Sequence, residues 1–404
     1  MTSLFLSKRV FMGIVCCAGV FAAMQVNAWG AAESDALRLV AVPARTYVEP
    51  SSEQVGLYDR VSLHLVLLND SPQEVALEKV CFTFYGAKDC SYQMTLSRDA
   101  LARRLKECTG AVFVAPEVRQ RRTLAGGPLV PAGGAAALIG NQFDLPAALG
   151  ASAATVEFTA RDAQGKERIL RAKIKLWRYE SAVRYQFPFS GPWMVSNAHG
   201  PGMGHPVDLF AYDFSKARGV SVHKDDGNKL EDWWGYDEPI LAAADGVVVE
   251  ANQAAGVPDQ KPLAPLPTAE QMGMKGVTLT NTLVTIDGEG AHYRPGNICW
   301  TALSMEDRAR INGAYVVIRH GDEEFSAYVH LRPGSLTVVR GDRVKAGQPI
   351  GKLGSAGHSN GVGLHFQVLY KSDDMHAGLP VAFTPAGAPT MSPMRLQVLG
   401  VYGN

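Results

Sequence analysis

The chain has 404 residues, and its 39 lysines and arginines balance its 39 aspartates and glutamates, so the formal net charge is zero. That balance excludes the basic excess of a nucleic-acid-binding surface, and no nucleic acid partner is expected. The length is enough for two domains, and 41 glycines and 23 prolines suit many short strands joined by turns, which points to a mainly β protein.

The first element reads as an export signal. Lys8 and Arg9 precede an apolar run from Val10 to Met24, and Val26-Asn27-Ala28 offers small residues at the −3 and −1 positions of a cleavage site. Residues 1–28 are therefore expected to be removed, leaving a chain that starts at Trp29 and works in the periplasm or cell envelope. The apolar run is short for a membrane-spanning helix, and no later stretch is apolar enough to cross a bilayer, so no transmembrane segment is expected in the mature chain. Cys16 and Cys17 lack the small preceding residue that lipoprotein processing prefers. Export leaves Cys81, Cys90, Cys108 and Cys299. The clustering of the first three favours one local disulfide, with free buried thiols as the alternative.

Residues 29–182 read as a β-sandwich-like module. "LRLVAVPA", "VSLHLVLLN", "KVCFTFYG", "ATVEFTARD" and "RILRAKIKLW" are alternating or continuous strand runs bounded by turn residues. One helix is predicted at "SRDALARRLKE", where Ser97 can cap it and Leu101 and Leu105 share a face. No catalytic constellation lies here, so packing or recognition is its expected role.

A second region, 183–404, carries most of the histidines. An irregular insertion at about 252–312, rich in Pro, Gly and Thr, interrupts it; a loop of that length inside a compact domain is usually functional or mobile. Clean strands then return with "GAYVVIRHG", "EEFSAYVHLRPGS" and "GLHFQVLY". Three segments hold residues of metal-site type: "GHPVDLFAYDF" with His205 and Asp213, a middle stretch with His330, and "HSNGVGLHFQV" ending in His365 and its neighbours. Zinc accepts imidazole nitrogen and carboxylate oxygen, and a catalytic site leaves a position open for water. In "LHFQV" the alternation puts Gly363, His365 and Gln367 on one face. A single strand histidine is usually a packed or surface residue, so spacing alone defines no site.

The wording of the segments goes further. "DEPILAAADGVVV", "AYVHL", "GDRVKAGQPIG", "GLHF" and "GLPVAF" occur in one order, and from about Tyr185 to Phe383 the chain resembles the lysostaphin/LytM-type zinc endopeptidases, which hydrolyse peptide cross-links in bacterial cell walls. The resemblance implies an antiparallel β-sheet peptidase domain with a groove over one face, Zn2+ as cofactor and peptidoglycan peptides as substrate. Carried over residue by residue, His205, Asp213 and His365 match the metal ligands, with His199 as a competing first ligand. His330 matches a catalytic histidine that orients water or stabilises the oxyanion. The chain departs from the pattern at Gly363, which stands where the family has a second catalytic histidine; glycine has no side chain with which to donate a hydrogen bond or move a proton. His358, in the preceding turn, is expected to be solvent-exposed, with compensation for Gly363 as the alternative. Two functions follow: an exported zinc metalloendopeptidase, or a catalytically impaired binding or regulatory protein with an envelope protein partner.

The remaining features have ordinary readings. "DDGNKLEDWWGYDEP" lacks ordered calcium-loop spacing and reads as a solvated loop, and Trp233, Trp234 and Tyr236 within it are expected to pack. His64 alternates within a strand, and His223, His292, His320 and His376 lie at turns or in polar loops.

Overall fold

The architecture is that of a computed structural model, which describes residues 36–42, 45–50, 57–86, 90–108, 123–199, 209–265, 268, 270–273, 277–279, 284–286, 292–293, 305–321, 324–371, 376–385, 390–393 and 397–401. The predicted signal at 1–28, the candidate ligand His205 and the cysteine Cys299 lie outside the described residues. The chain is mainly β, with two nine-stranded sheets among the described residues.

The first sheet contains β1 (Leu37–Val42), β2 (Thr46–Pro50), β3 (Tyr58–Asn69), β4 (Val75–Tyr85), β5 (Ser91–Ser97), β6 (Leu129–Val130), β7 (Ala135–Pro146), β8 (Ala153–Arg161) and β9 (Glu167–Arg178). Its order is β1-β3-β2-β9-β8-β4-β5, with β6 on β4 and β7 on β3; β2 and β9 run parallel and the other neighbours antiparallel. Alternate residues of β4, β8 and β9 turn Leu77, Phe82, Phe84, Val156, Phe158 and Ile174 into one core with Val61, Leu63 and Leu65 of β3. Helix α1 (Arg98–Cys108) closes it with Leu101 and Leu105, and Ser97 Oγ accepts from the Ala100 amide at 3.5 Å, as expected of its cap. Cys81 and Cys90 carry free thiols, so the local disulfide favoured by their clustering does not join them; the Cys108 side chain lies outside the described residues.

The second sheet contains β10 (Gly191–Asn197), β11 (Tyr212–Lys216), β13 (Gly246–Asn252), β17 (Ala314–His320), β18 (Glu324–Leu331), β19 (Arg343–Val344), β21 (Leu364–Lys371), β22 (His376–Gly378) and β23 (Val398–Val401). The order is β19-β13-β17-β18-β21-β11-β10-β23, antiparallel throughout, with β22 on β21. A two-stranded piece pairs β12 (Pro239–Leu241) with β20 (Pro349–Lys352). The expected insertion holds three short strands, β14 (Val277–Leu279), β15 (Val284–Ile286) and β16 (His292–Tyr293), and a helix, α2 (Met305–Asn312).

One face of the second sheet builds an aromatic core from Trp193, Tyr212, Phe214, Tyr328, Phe366 and Phe383. The other face carries a smaller apolar patch of Tyr315, Val317, Ala327, Val329 and Leu369. The strand period of two sorts them: Tyr212, Phe214 and Phe366 fall on the core face, so Asp213, Ser215, His365 and Gln367 fall on the opposite face. The connecting segment is tied down by buried Glu324, which accepts from Ser181 Oγ at 2.8 Å and from Tyr185 Oη at 2.7 Å.

Candidate active site

The site face is assembled by register. Asn197 of β10 pairs with Asp213 of β11, Asp213 with His365 of β21, and His365 with Val329 of β18. Directly opposed residues on adjacent strands bring their side chains together, and His365 Nδ1 donates to Asp213 Oδ1 at 2.8 Å. His365 is buried, while Asp213 keeps 35% of its side chain exposed, so the carboxylate meets solvent at the open side of the pair. Burial pushes the Asp213 carboxyl up, but the His365 hydrogen bond, the charges of His365 and His330 and a hydrogen bond from Asn197 outweigh it, and the net shift is downward.

His330 joins the pair through a backbone irregularity. It follows Val329, so simple alternation would send its ring to the core face. Instead it has φ +65°, the left-handed region, which costs a non-glycine residue about 1 kcal/mol or more. The ring lies with its centroid 6.4 Å from that of His365, at a 72° angle. Nδ1 of His330 is 2.9 Å from the Ala356 carbonyl. A carbonyl only accepts, so Nδ1 carries the proton, and Nε2 is left as the acceptor in the neutral ring. Burial first, and then the charge of His365, lowers the His330 pKa to about 4, which keeps the imidazole neutral near pH 7.

His358 corrects one expectation. It is 7% exposed rather than solvated, its amide donates to the Ile311 carbonyl at 2.7 Å, and burial lowers its pKa to about 4. Its charge is felt at His330. Gly363, two residues before His365, is open to a side chain: an added Cβ would meet the Phe214 carbonyl and Ser215 Oγ at 3.5 Å, ordinary contact distance. Gln367 shares the His365 face, is fully buried, and its side-chain amide has no hydrogen-bond partner among the described residues.

His199, the competing first ligand, is held elsewhere. Its ring packs 4.4 Å from that of Tyr212, on the aromatic-core side of β11, and Nδ1 lies 2.6 Å from Glu49 Oε2 of the first sheet. Among the described residues no group of three or more His, Cys, Asp or Glu forms a metal cage. Two of the three predicted ligands, Asp213 and His365, do touch, and an imidazole with a carboxylate is a donor set that suits zinc. The residues present therefore fit such a metal as far as they are described.

Trp233 and its neighbours pack, as their sequence suggested. Trp233 Nε1 donates to the Gly227 carbonyl at 2.9 Å, and its ring edge stands beside Gly361 in the turn leading to His365. Arg218 lies 3.9 Å over the Trp234 ring, and Tyr236 Oη donates to Asp259 at 3.1 Å. His320 is buried between the Asp245 carbonyl and Ser326 Oγ, both at 2.7 Å, so its role is structural. Sequence reasoning missed Asn197, the Ala356 carbonyl and Glu49, none of which belongs to a recognisable motif; only the strand register and the turn geometry bring them to their partners.

Residues 300–377, which include His330, His358, Gly363 and His365, match Peptidase family M23. The chain is 38% identical over 73 residues to "Lipoprotein NlpD" of Yersinia enterocolitica, a match spanning 18% of this chain and 69% of that relative. It is 43% identical over 60 residues to "Peptidoglycan DD-endopeptidase ShyC" of Vibrio cholerae serotype O1, spanning 15% of this chain and 13% of the relative. It is 40% identical over 73 residues to "Outer membrane antigenic lipoprotein B" of Haemophilus influenzae, spanning 18% and 16%. The chain thus spans less than a fifth of the length of the last two relatives. It belongs to Peptidase family M23.

Proposed function

We propose that the chain is an exported zinc metalloendopeptidase that hydrolyses peptide bonds in peptidoglycan cross-links, with Asp213, His365 and His205 holding the metal. The observation that carries this reading is the Asp213–His365 pair on adjacent strands with the His330 ring turned toward it from a left-handed backbone position. When bound, zinc would polarise the scissile carbonyl and make a water nucleophilic near neutral pH. His330, with Nδ1–H fixed on Ala356, offers Nε2 to take a hydrogen from the attacking water. Asn197 orients the Asp213 carboxylate by donating to it, as groups behind a metal ligand commonly do. The name of the Vibrio relative supports peptidoglycan peptides as the substrate, and the signal pattern at residues 1–28 supports delivery to the periplasm or cell envelope. No helix among the described residues is long and apolar enough to cross a membrane. The corresponding domain division is a signal at 1–28, an N-terminal β-rich module at 29–182 and a peptidase domain at 183–404.

Gly363 favours a second reading, a catalytically impaired binding or regulatory protein of the envelope, because the site face lacks an imidazole two residues before His365. Metal analysis of the purified protein coupled to a peptidoglycan-digestion assay separates the two. About one zinc per chain with release of peptides is expected of the enzyme. Zinc without digestion would favour the regulatory reading, and absence of zinc would remove the metal from both.

A further inference from the structure

His330 keeps its left-handed backbone against one short turn. The Gly354 amide donates to the His330 carbonyl at 3.1 Å, and the Ala356 carbonyl accepts from His330 Nδ1 at 2.9 Å. Ser355 and Ala356 between and beside them are fully buried. The turn is held in its place by Asp259, which belongs to none of the motifs that carry the resemblance. Asp259 Oδ1 accepts from the Ser355 amide at 2.8 Å, its backbone bridges to Ala356, and the Gln260 amide donates to the Ser355 carbonyl at 3.0 Å. The carboxylate lies directly on Gly354, where an added Cβ would stand 2.5 Å from Oδ1. Its other oxygen accepts from Tyr236 Oη at 3.1 Å. Burial first, and then the charge of Asp259, raises the Tyr236 pKa to about 12, so the phenol stays protonated and keeps donating. The Ala356 carbonyl is also confined by the Gly313 backbone: a Cβ added to Gly313 would stand 2.6 Å from its oxygen.

We propose that Asp259 is a positioning residue for His330: by accepting from the Ser355 amide it fixes the Ala356 carbonyl, and that carbonyl keeps the His330 proton on Nδ1 and leaves Nε2 as the acceptor. The consequence for hydrolysis rests on reading His330 as the base of the proposed peptidase. A neutral imidazole can carry its proton on either nitrogen, and the hydrogen bond made by one of them decides which. A base must present its lone pair within hydrogen-bond reach of the proton it takes. A left-handed φ in a non-glycine residue persists only where its surroundings over-determine it. The turn at 354–356 meets both needs, and a hydrogen bond to a carboxylate, about twice as strong as one between neutral groups, is a firm anchor for it. Asp259 bonds the turn and Tyr236, so it acts on His330 through the turn.

The test compares the full chain, labelled with 15N at histidine, with Asp259→Ala, Asp259→Asn and Asp237→Asn. Ring nitrogen chemical shifts near pH 7 tell Nδ1–H from Nε2–H, and the signals lost in His330→Ala assign that ring. The parent is expected to hold His330 as Nδ1–H, and Asp259→Ala to raise the Nε2–H form about tenfold or more. Asp259→Asn, which keeps an oxygen to accept from the Ser355 amide, should restore most of the parent pattern. Asp237→Asn removes a carboxylate that pairs with Arg332 and Lys352 rather than with the turn, and should move nothing. On a soluble cross-linked muropeptide, Asp259→Ala should lower kcat about tenfold or more, with KM little changed, and Asp259→Asn should recover most of it. Should Asp259→Ala fail to fold, Asp259→Glu displaces the carboxylate by one methylene and carries the same expectations. A parent ring that is Nε2–H, or a ring that stays Nδ1–H in Asp259→Ala, overturns the positioning role, as does an equal change in Asp237→Asn. A changed tautomer with the kcat of an active parent retained overturns the consequence for hydrolysis. A parent that cleaves nothing refutes the reading of His330 as a base by itself, and the positioning role then stands or falls on the tautomer alone.

Discussion

The two sheets bury amides in opposite ways. In the first, Asn69 donates from Nδ2 to the carbonyls of Gln73, Val130 and Pro131 at 2.8–3.1 Å, and Asn141 donates to Leu63 and Leu138 at 3.2 and 2.9 Å. In the second, Gln367 is as deeply buried, on the face of His365, and its amide has no partner among the described residues. Buried polar groups are nearly always paired, because an unmet one costs about 1–3 kcal/mol. The first sheet uses its polar groups to close loops and strand ends. The second places Asp213, His365, Gln367 and the turned His330 together on a face whose pairing is incomplete. The difference concerns these amides, since Thr46 Oγ1 and Glu49 Oε1 of the first sheet are likewise buried with no hydrogen-bond partner among the described residues.

The largest expected effect comes from removing the centre of that face. His365→Ala should abolish retained zinc and peptidoglycan digestion, with the chain still folded by circular dichroism. Full zinc in that variant would sink the ligand assignment and erase the contrast. Next, Gly363→His tests whether the site face is short of one group. An added Cβ there meets only ordinary contacts at 3.5 Å, and a positioned acid–base group contributes about 10²–10⁴-fold in rate. The variant should digest peptidoglycan faster than the parent by a factor in that range, and adding His330→Ala should remove the gain. A fully active parent that Gly363→His leaves unchanged or harms would mean another residue already fills the role, and buried His358 is the first to examine.

The amides themselves give a smaller and sharper comparison. Asn69→Ala leaves three carbonyls short and should lower stability by about 1–3 kcal/mol in urea unfolding. Gln367→Leu exchanges an unpaired amide for an apolar group of similar size and should be neutral or stabilising. Equal losses in the two would show that Gln367 is satisfied in solution, and the distinction between the sheets would fail there.

The smallest effect is in pH dependence. Burial lowers the pKa of His64 in β3 from 6.5 to about 3. The folded chain therefore keeps His64 neutral while the unfolded chain takes up a proton below pH 6.5. Stability from this group is complete above that pH and is lost as pH falls toward 3, at up to about 1.4 kcal/mol per pH unit. Thermal unfolding between pH 7 and 4.5 should show a shallower decline in His64→Gln than in the parent; identical slopes would mean His64 is already charged or hydrated in the fold.

Much of this protein was legible in its sequence. Strand alternation identified β3, β4, β8 and β9, the Ser97 cap located α1, and the ordered motifs from "DEPILAAADGVVV" to "GLPVAF" pointed to the family. The same alternation placed Gly363, His365 and Gln367 on one face. These are local properties, in which the period of the backbone and the preferences of neighbouring residues suffice. Tertiary structure alone decided the rest. It paired Asp213 with His365, because register between β11 and β21 is a long-range choice. It turned His330 out of its strand's alternation through a left-handed φ that no neighbouring residue demands. It buried His358 in a turn that reads as solvated, and it sent His199 to Glu49, which lies 150 positions earlier in the chain. Such contacts depend on how distant strands stack, and no local pattern records them.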